Sequence, residues 1–154
     1  MDIKELYQEI VLDHGKNPRN KNKCAGFNKD AKGHNPLCGD KVHVFLKLNN
    51  DKKVEDISFV GEGCAISMAS ASIMTETIKG KEFNVAKKIL ENFLSMLKEG
   101  SKLNINSLSD DENTTIMSLS GVKRFPMRVK CATLAWHTFL HAAEDNKHTV
   151  NTEK

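Results

Sequence analysis

The chain has 154 residues, of which 39% are hydrophobic and 28% charged, and its formal net charge is +3. The basic residues are scattered and balanced by 20 acids, with one Trp and one Tyr to stack on bases, so no nucleic-acid partner is suggested. No apolar run approaches the roughly 20 residues that a membrane helix needs, which leaves a soluble chain able to build one core.

Ile3, Leu6, Tyr7, Ile10, Val11 and His14 recur at the spacing of one helical face. They predict an N-terminal amphipathic helix that ends near Gly15 and Asn17-Pro18. Its opening, MDIKELYQEI, is acidic and helical, unlike a signal peptide. Residues 19–40 are polar and predict loops, with a short strand around 26–32. Within them NPLCGD (35–40) gathers turn formers around Cys38 and Asp40, which places thiol and carboxylate on a tight loop. VHVFLKL (42–48) alternates Val42, Val44, Leu46 and Leu48 on one face, and KVEDISFVG (53–61) follows after Asn49-Asn50-Asp51; the two predict an antiparallel hairpin.

Gly61-Glu62-Gly63 breaks the second strand, and the small apolar run CAISMASASIMTETI predicts a buried helix starting at Cys64. Asn84 is the expected cap of the next helix, with Ala86, Ile89, Leu90, Phe93 and Leu97 along its core face. A polar stretch over 99–121 leaves room for a short helix near 110–119. Phe125-Pro126 opens the last helix, MRVKCATLAWHTFLHAA, with Pro126 in its first turn. A polar tail, expected to fray, runs from Glu144, with a boundary at about 145. Without repeat or linker, the expectation for 1–154 is a single α+β domain.

The four cysteines, Cys24, Cys38, Cys64 and Cys131, accompany no export signal and read as thiols of a cytoplasmic protein. Cys38 precedes a strand, Cys64 opens a helix and Cys131 lies within two turns of a helix start. A helix N-terminus favours thiolate, the form that binds metal or attacks sulfur. Free cysteines are also often small buried hydrophobes, and no C-x-x-C is present, so spacing alone leaves both readings open. Cys24, in a polar stretch, reads as an incidental surface thiol. His43 reads as solvated, and His137 with His141 as an exposed helix face.

LYQEIVLDHGKNPRN, NPLCGD, GEGCAISMASASIM and RFPMRVKCATLAW, in that order from about residue 5 to 142, resemble the SufU-type proteins of the IscU/NifU N-terminal family of iron–sulfur cluster assembly. The resemblance implies a small antiparallel β-sheet covered by helices, an IscU/SufU-like fold. It also implies one Zn²⁺ held by Cys38, Asp40, Cys64 and Cys131, with Cys24 matching no ligand.

Two branches of that family differ at readable positions. IscU-type scaffolds, on which a transient [2Fe–2S] cluster is assembled, carry His immediately before the last ligand Cys, where this chain has Lys130. They also have a short connection there, whereas residues 99–122 are long and polar. Both features point away from the cluster scaffold, and the resemblance then implies a zinc-dependent sulfurtransferase that takes persulfide sulfur from a SufS-type cysteine desulfurase and passes it to downstream Fe–S assembly proteins; the IscU-type scaffold is the alternative. Cys38, on its glycine-containing loop, is the expected sulfur acceptor, with Cys131 the competing choice. Arg128 and Lys130, flanking Cys131, are the expected docking residues.

Overall fold

A computed structural model describes residues 2–100, 106–144 and 150–151. Three antiparallel strands form the sheet: β1 (Lys29–Asn35), β2 (Asp40–Leu48) and β3 (Val54–Glu62). A two-residue strand, β4 (Val150–Asn151), adds in parallel beside Gly33 and His34, giving the order β3-β2-β1-β4. The predicted β2–β3 hairpin is present. Its turn is closed by Asn49 Oδ1, which accepts from the amides of Asp51 and Lys53, each at 2.9 Å.

Alternation along β2 buries Val42, Val44 and Leu46 against the helices, together with Ile57 and Phe59 of β3. Slipping the register by one residue would turn this set to the other face, so the core pattern itself specifies the pairing. On the opposite face Phe45 is buried beneath Phe27, their ring centroids 4.9 Å apart. The same segment covers the edge of the sheet, where the Phe59 amide donates to Asn20 O at 3.0 Å.

Five α-helices are described: α1 (Ile3–Lys16), α2 (Ala65–Ile78), α3 (Phe83–Glu99), α4 (Asp110–Met117) and α5 (Pro126–Ala143). A 3₁₀ turn over Ser118–Arg124 joins the last two. Helix α2 is buried almost all round, which its Ala and Ser residues permit by allowing close approach of neighbouring backbones. Of the serine hydroxyls that come with this composition, those of Ser70 and Ser72 are bonded, whereas Ser67 Oγ is buried with no hydrogen-bond partner among the described residues. Ser70 Oγ donates to Ala132 O at 2.5 Å and accepts from the Trp136 indole N–H at 3.0 Å. That pair of bonds fixes α5 against α2. Trp136, fully buried and stacked on Phe93 at 4.4 Å, fills the space beside it.

Several expectations change. The first strand runs over 29–35, not 26–32, so NPLCGD is a β-hairpin connection with Asn35 paired to Asp40. Asp40 is therefore the first residue of β2 and fully buried, while Cys38 alone of the two sits on the loop. Helix α3 begins after Glu82, which makes no side-chain cap, and Asn84 lies inside its first turn. The short helix does form, starting one residue after Ser109, with Ser109 and Glu112 in a reciprocal capping box. Residues 101–105, 145–149 and 152–154 lie outside the described residues. Of the tail expected to fray, Val150 and Asn151 are paired to β1 instead, and Val150 is buried.

Candidate metal centre

Three elements bring the chemistry together. The β1–β2 hairpin offers Cys38 and Asp40, the β3–α2 junction offers Cys64, and α5 offers Cys131 six residues into the helix. Cys38 and Cys131 are free thiols with sulfurs 3.1 Å apart. One ligand atom from each of Cys38, Asp40 and Cys131 fits within a 4.8 Å span. Cys64 lies beside this trio, with its sulfur 4.0 Å from Asp40 Oδ2.

Each candidate ligand is held for a local reason. Cys64 is the N-cap of α2, and its sulfur accepts from the Ser67 amide at 3.4 Å. Its own amide donates to Asp40 Oδ1 at 2.8 Å, so β2 and α2 are tied through the carboxylate. Gly63 makes the approach possible. It turns at φ +152°, and a Cβ there would lie 2.9 Å from Asp40 Cα and closer still to Asp40 Oδ1. The other carboxylate oxygen accepts from Asn35 Nδ2 at 3.1 Å, and the same nitrogen is 3.5 Å from Cys131 Sγ.

Cys131 is fully buried. Burial pushes its thiol far above the ordinary cysteine range, reinforced by hydrogen bonding with Cys38, Asp40 and Cys64. This reverses the expectation that a helix start would favour its thiolate. Without a cation, burial beside a carboxylate outweighs the helix dipole at this depth. Three sulfurs and one carboxylate oxygen are a donor set suited to Zn²⁺. With Zn–S bonds of about 2.3 Å, tetrahedral sulfurs stand about 3.8 Å apart, so Cys38 and Cys131 would have to separate slightly.

Arg128 is exposed and Lys130 half-buried on the first turns of α5, and both stand outside the ligand cluster. Cys24 is not a surface thiol: it is 6% exposed, and its amide donates to Ser58 Oγ at 2.9 Å. His43 is partly covered, stacked on Phe45 at 4.1 Å and 2.6 Å from Asp30 Oδ2. His137 and His141 are half-buried, not exposed, and belong to no metal-ligating group among the described residues. The sequence marks Asn35 and Gly63 only as turn residues, which is what Asn and Gly in such places ordinarily are, so their contacts with Asp40 are not legible there.

The NifU-like N-terminal domain model matches residues 6–132. The chain belongs to that family. It is 43% identical over 138 residues to the zinc-dependent sulfurtransferase SufU of Bacillus subtilis, covering 88% of this chain and 87% of that protein. It is also 36% identical over 140 residues to the iron–sulfur cluster assembly scaffold protein IscU of Streptococcus pyogenes, covering 91% and 84%. A crystal structure from Fervidobacterium islandicum, assigned to iron–sulfur cluster scaffolding in the SUF system, superposes with a TM-score of 0.78. It is 34% identical, and the match covers 90% of this chain and 97% of that one. The NifU-like N-terminal protein of Brucella abortus shares the fold at a TM-score of 0.77 and 22% identity. In keeping with this fold, no helix among the described residues is long and apolar enough to cross a membrane.

Proposed function

We propose that this protein is a zinc-dependent sulfurtransferase for iron–sulfur cluster assembly, a single cytoplasmic domain that takes persulfide sulfur from a SufS-type cysteine desulfurase. The observation that carries this reading is the convergence of Cys38, Asp40 and Cys131 within 4.8 Å, with Cys64 at the same carboxylate. Likeness to the SufU sulfurtransferase supports it, as does Lys130 in place of the His expected of an IscU-type scaffold.

Cys38, Asp40, Cys64 and Cys131 would hold the Zn²⁺, which when bound keeps thiols deprotonated near neutral pH and brings no redox chemistry of its own. Cys38 is the sulfur acceptor. It is only partly buried, on a four-residue hairpin loop that can move at little packing cost. Cys131 is fully buried within α5, and Cys64 caps α2 through its sulfur. The Cys38 thiolate attacks the outer sulfur of the partner's cysteine persulfide. A new S–S bond forms on Cys38, the partner's S–S bond breaks, and its electron pair leaves on the partner's cysteine as thiolate. The chain then hands the sulfane sulfur to downstream Fe–S assembly proteins.

Arg128 and Lys130 would form a cationic rim that orients the partner's persulfide loop. Reversing the charge at Arg128 should raise the apparent KM for this protein in desulfurase stimulation without removing zinc; an unchanged KM would remove Arg128 from the interface. The whole reading is tested by elemental analysis of anaerobically purified protein together with that assay. One zinc per chain and faster desulfurase turnover are expected. The likeness to IscU favours a second reading, a cluster built on the same side chains, and a brown, iron-containing protein would select it.

A further inference from the structure

We propose that Asn35 is a positioning residue for the metal ligands, its carboxamide fixing Asp40 and Cys131 as a rigid pair beside the movable Cys38. This rests on the zinc reading above. Asn35 is the last residue of β1, paired with Asp40 across the hairpin, and its side chain is fully buried. Its backbone carbonyl accepts from the Cys38 amide at 3.3 Å, which closes the loop. Its side-chain nitrogen lies 3.1 Å from Asp40 Oδ2 and 3.5 Å from Cys131 Sγ. One amide nitrogen has two hydrogens to give, and here each meets a candidate ligand from a different element.

The other end of the amide shows what the residue is for. Asn35 Oδ1 is buried with no hydrogen-bond partner among the described residues. A buried amide that leaves its oxygen unpaired is a poor stabiliser, and such atoms in native folds call for another explanation. Both neighbours of the nitrogen are acceptors, so turning the amide over would set oxygen against carboxylate and sulfur. The orientation is dictated by the ligands.

The chemical consequence is a difference among the thiols. An N–H bond to sulfur draws off electron density. Cys131 receives such a bond from Asn35 and Cys64 one from the Ser67 amide. Cys38 Sγ receives none among the described residues, its sulfur meeting only Cys131 Sγ. Asn35 thereby quiets the buried thiolate and leaves Cys38 the more reactive.

Cobalt(II) as a spectroscopic probe tests this on the full chain. Asn35→Leu removes the donor at similar volume, and Asn35→Ala removes it without placing a new polar group beside Asp40, so at least one variant should keep the fold. In both, the sulfur-to-cobalt charge-transfer band should move to lower energy, because the bonded sulfur regains electron density. Zinc, measured by chelator competition, should bind Asn35→Leu about 10- to 100-fold more weakly, the usual loss when a partner of a metal ligand is removed. Folded variants that keep the wild-type band and zinc affinity would overturn the role of Asn35 alone. A wild-type chain that develops no sulfur-to-cobalt band would overturn the metal site itself, and Asn35's role with it.

Discussion

Replacing Gly63 by Ala should loosen the candidate metal centre without touching any of its candidate ligands. The added Cβ would sit 2.9 Å from Asp40 Cα, a backbone atom that no rotamer change can move aside. Holding an Ala at φ +152° costs on the order of 1–3 kcal/mol. Relieving the clash must draw the β3–α2 junction away from β2, which breaks the 2.8 Å bond from the Cys64 amide to Asp40. A hydrogen bond to a charged group is worth about 1.5–3 kcal/mol. Together these predict a stability loss of roughly 2.5–6 kcal/mol in denaturant titration of the metal-free chain. If the bond to Asp40 holds the carboxylate in place, its share reappears as a zinc affinity about 10- to 100-fold weaker in chelator competition. Gly80→Ala is the matched control: φ is +84°, and nothing lies within 4 Å of the added Cβ. It should lose stability and keep its zinc affinity. A Gly63→Ala chain with wild-type zinc affinity would refute the reasoning.

Other outcomes follow from the same geometry. Ser70→Ala leaves the Trp136 indole N–H buried and unpaired, so it should cost about 1–3 kcal/mol; no change in the unfolding midpoint would show that Ser70 does not tie α5 to α2. Asp40→Cys replaces a hard oxygen by a fourth thiolate and should tighten zinc while weakening desulfurase stimulation; full stimulation would show that the carboxylate is not the tuning ligand. His14 is buried on Ser72, 2.7 Å away, and burial, then Arg19, holds its pKa below 6.5 against the opposing pull of Glu76 and Asp13. The unfolded chain therefore takes up a proton first, and the metal-free protein should lose stability as pH falls below about 6.5. His137 is depressed too, chiefly by burial, so His14→Gln should make the loss shallower without abolishing it. An unchanged slope between pH 7 and 5 would exclude His14 as a contributor.

Periodicity makes the hairpin, α1 and α3 legible, because Val42, Val44 and Leu46, or Ile89, Leu90 and Phe93, repeat over spans long enough to fix a face; α2 is legible from its small apolar run and α5 from Pro126 at its start, while a polar stretch only leaves room for α4. The first strand was harder. KDAKGHN carries only Ala31 as an apolar core residue, and it is pairing with β2, not local pattern, that makes it a strand. The missed cap at Asn84 has a similar cause, since the Phe83 amide is taken by Lys52 O at 2.8 Å and the helix starts from that contact. Cys38, Cys64 and Cys131 stood out by residue type, yet separations of 26 and 67 residues could not say that they meet. The family resemblance supplied that expectation. Cys24 is buried where its amide meets Ser58, 34 positions away, a pairing that no local window contains.

The central claim is that sulfur moves onto Cys38 of the zinc-loaded chain, and site-resolved mass spectrometry tests it most directly. Zinc-loaded protein is reacted with a persulfidated SufS-type desulfurase, alkylated anaerobically and digested. Sulfane sulfur is predicted on the Cys38 peptide, with Cys64 and Cys131 unmodified. Sulfane sulfur on the Cys131 peptide with Cys38 untouched, or on neither, would contradict the account.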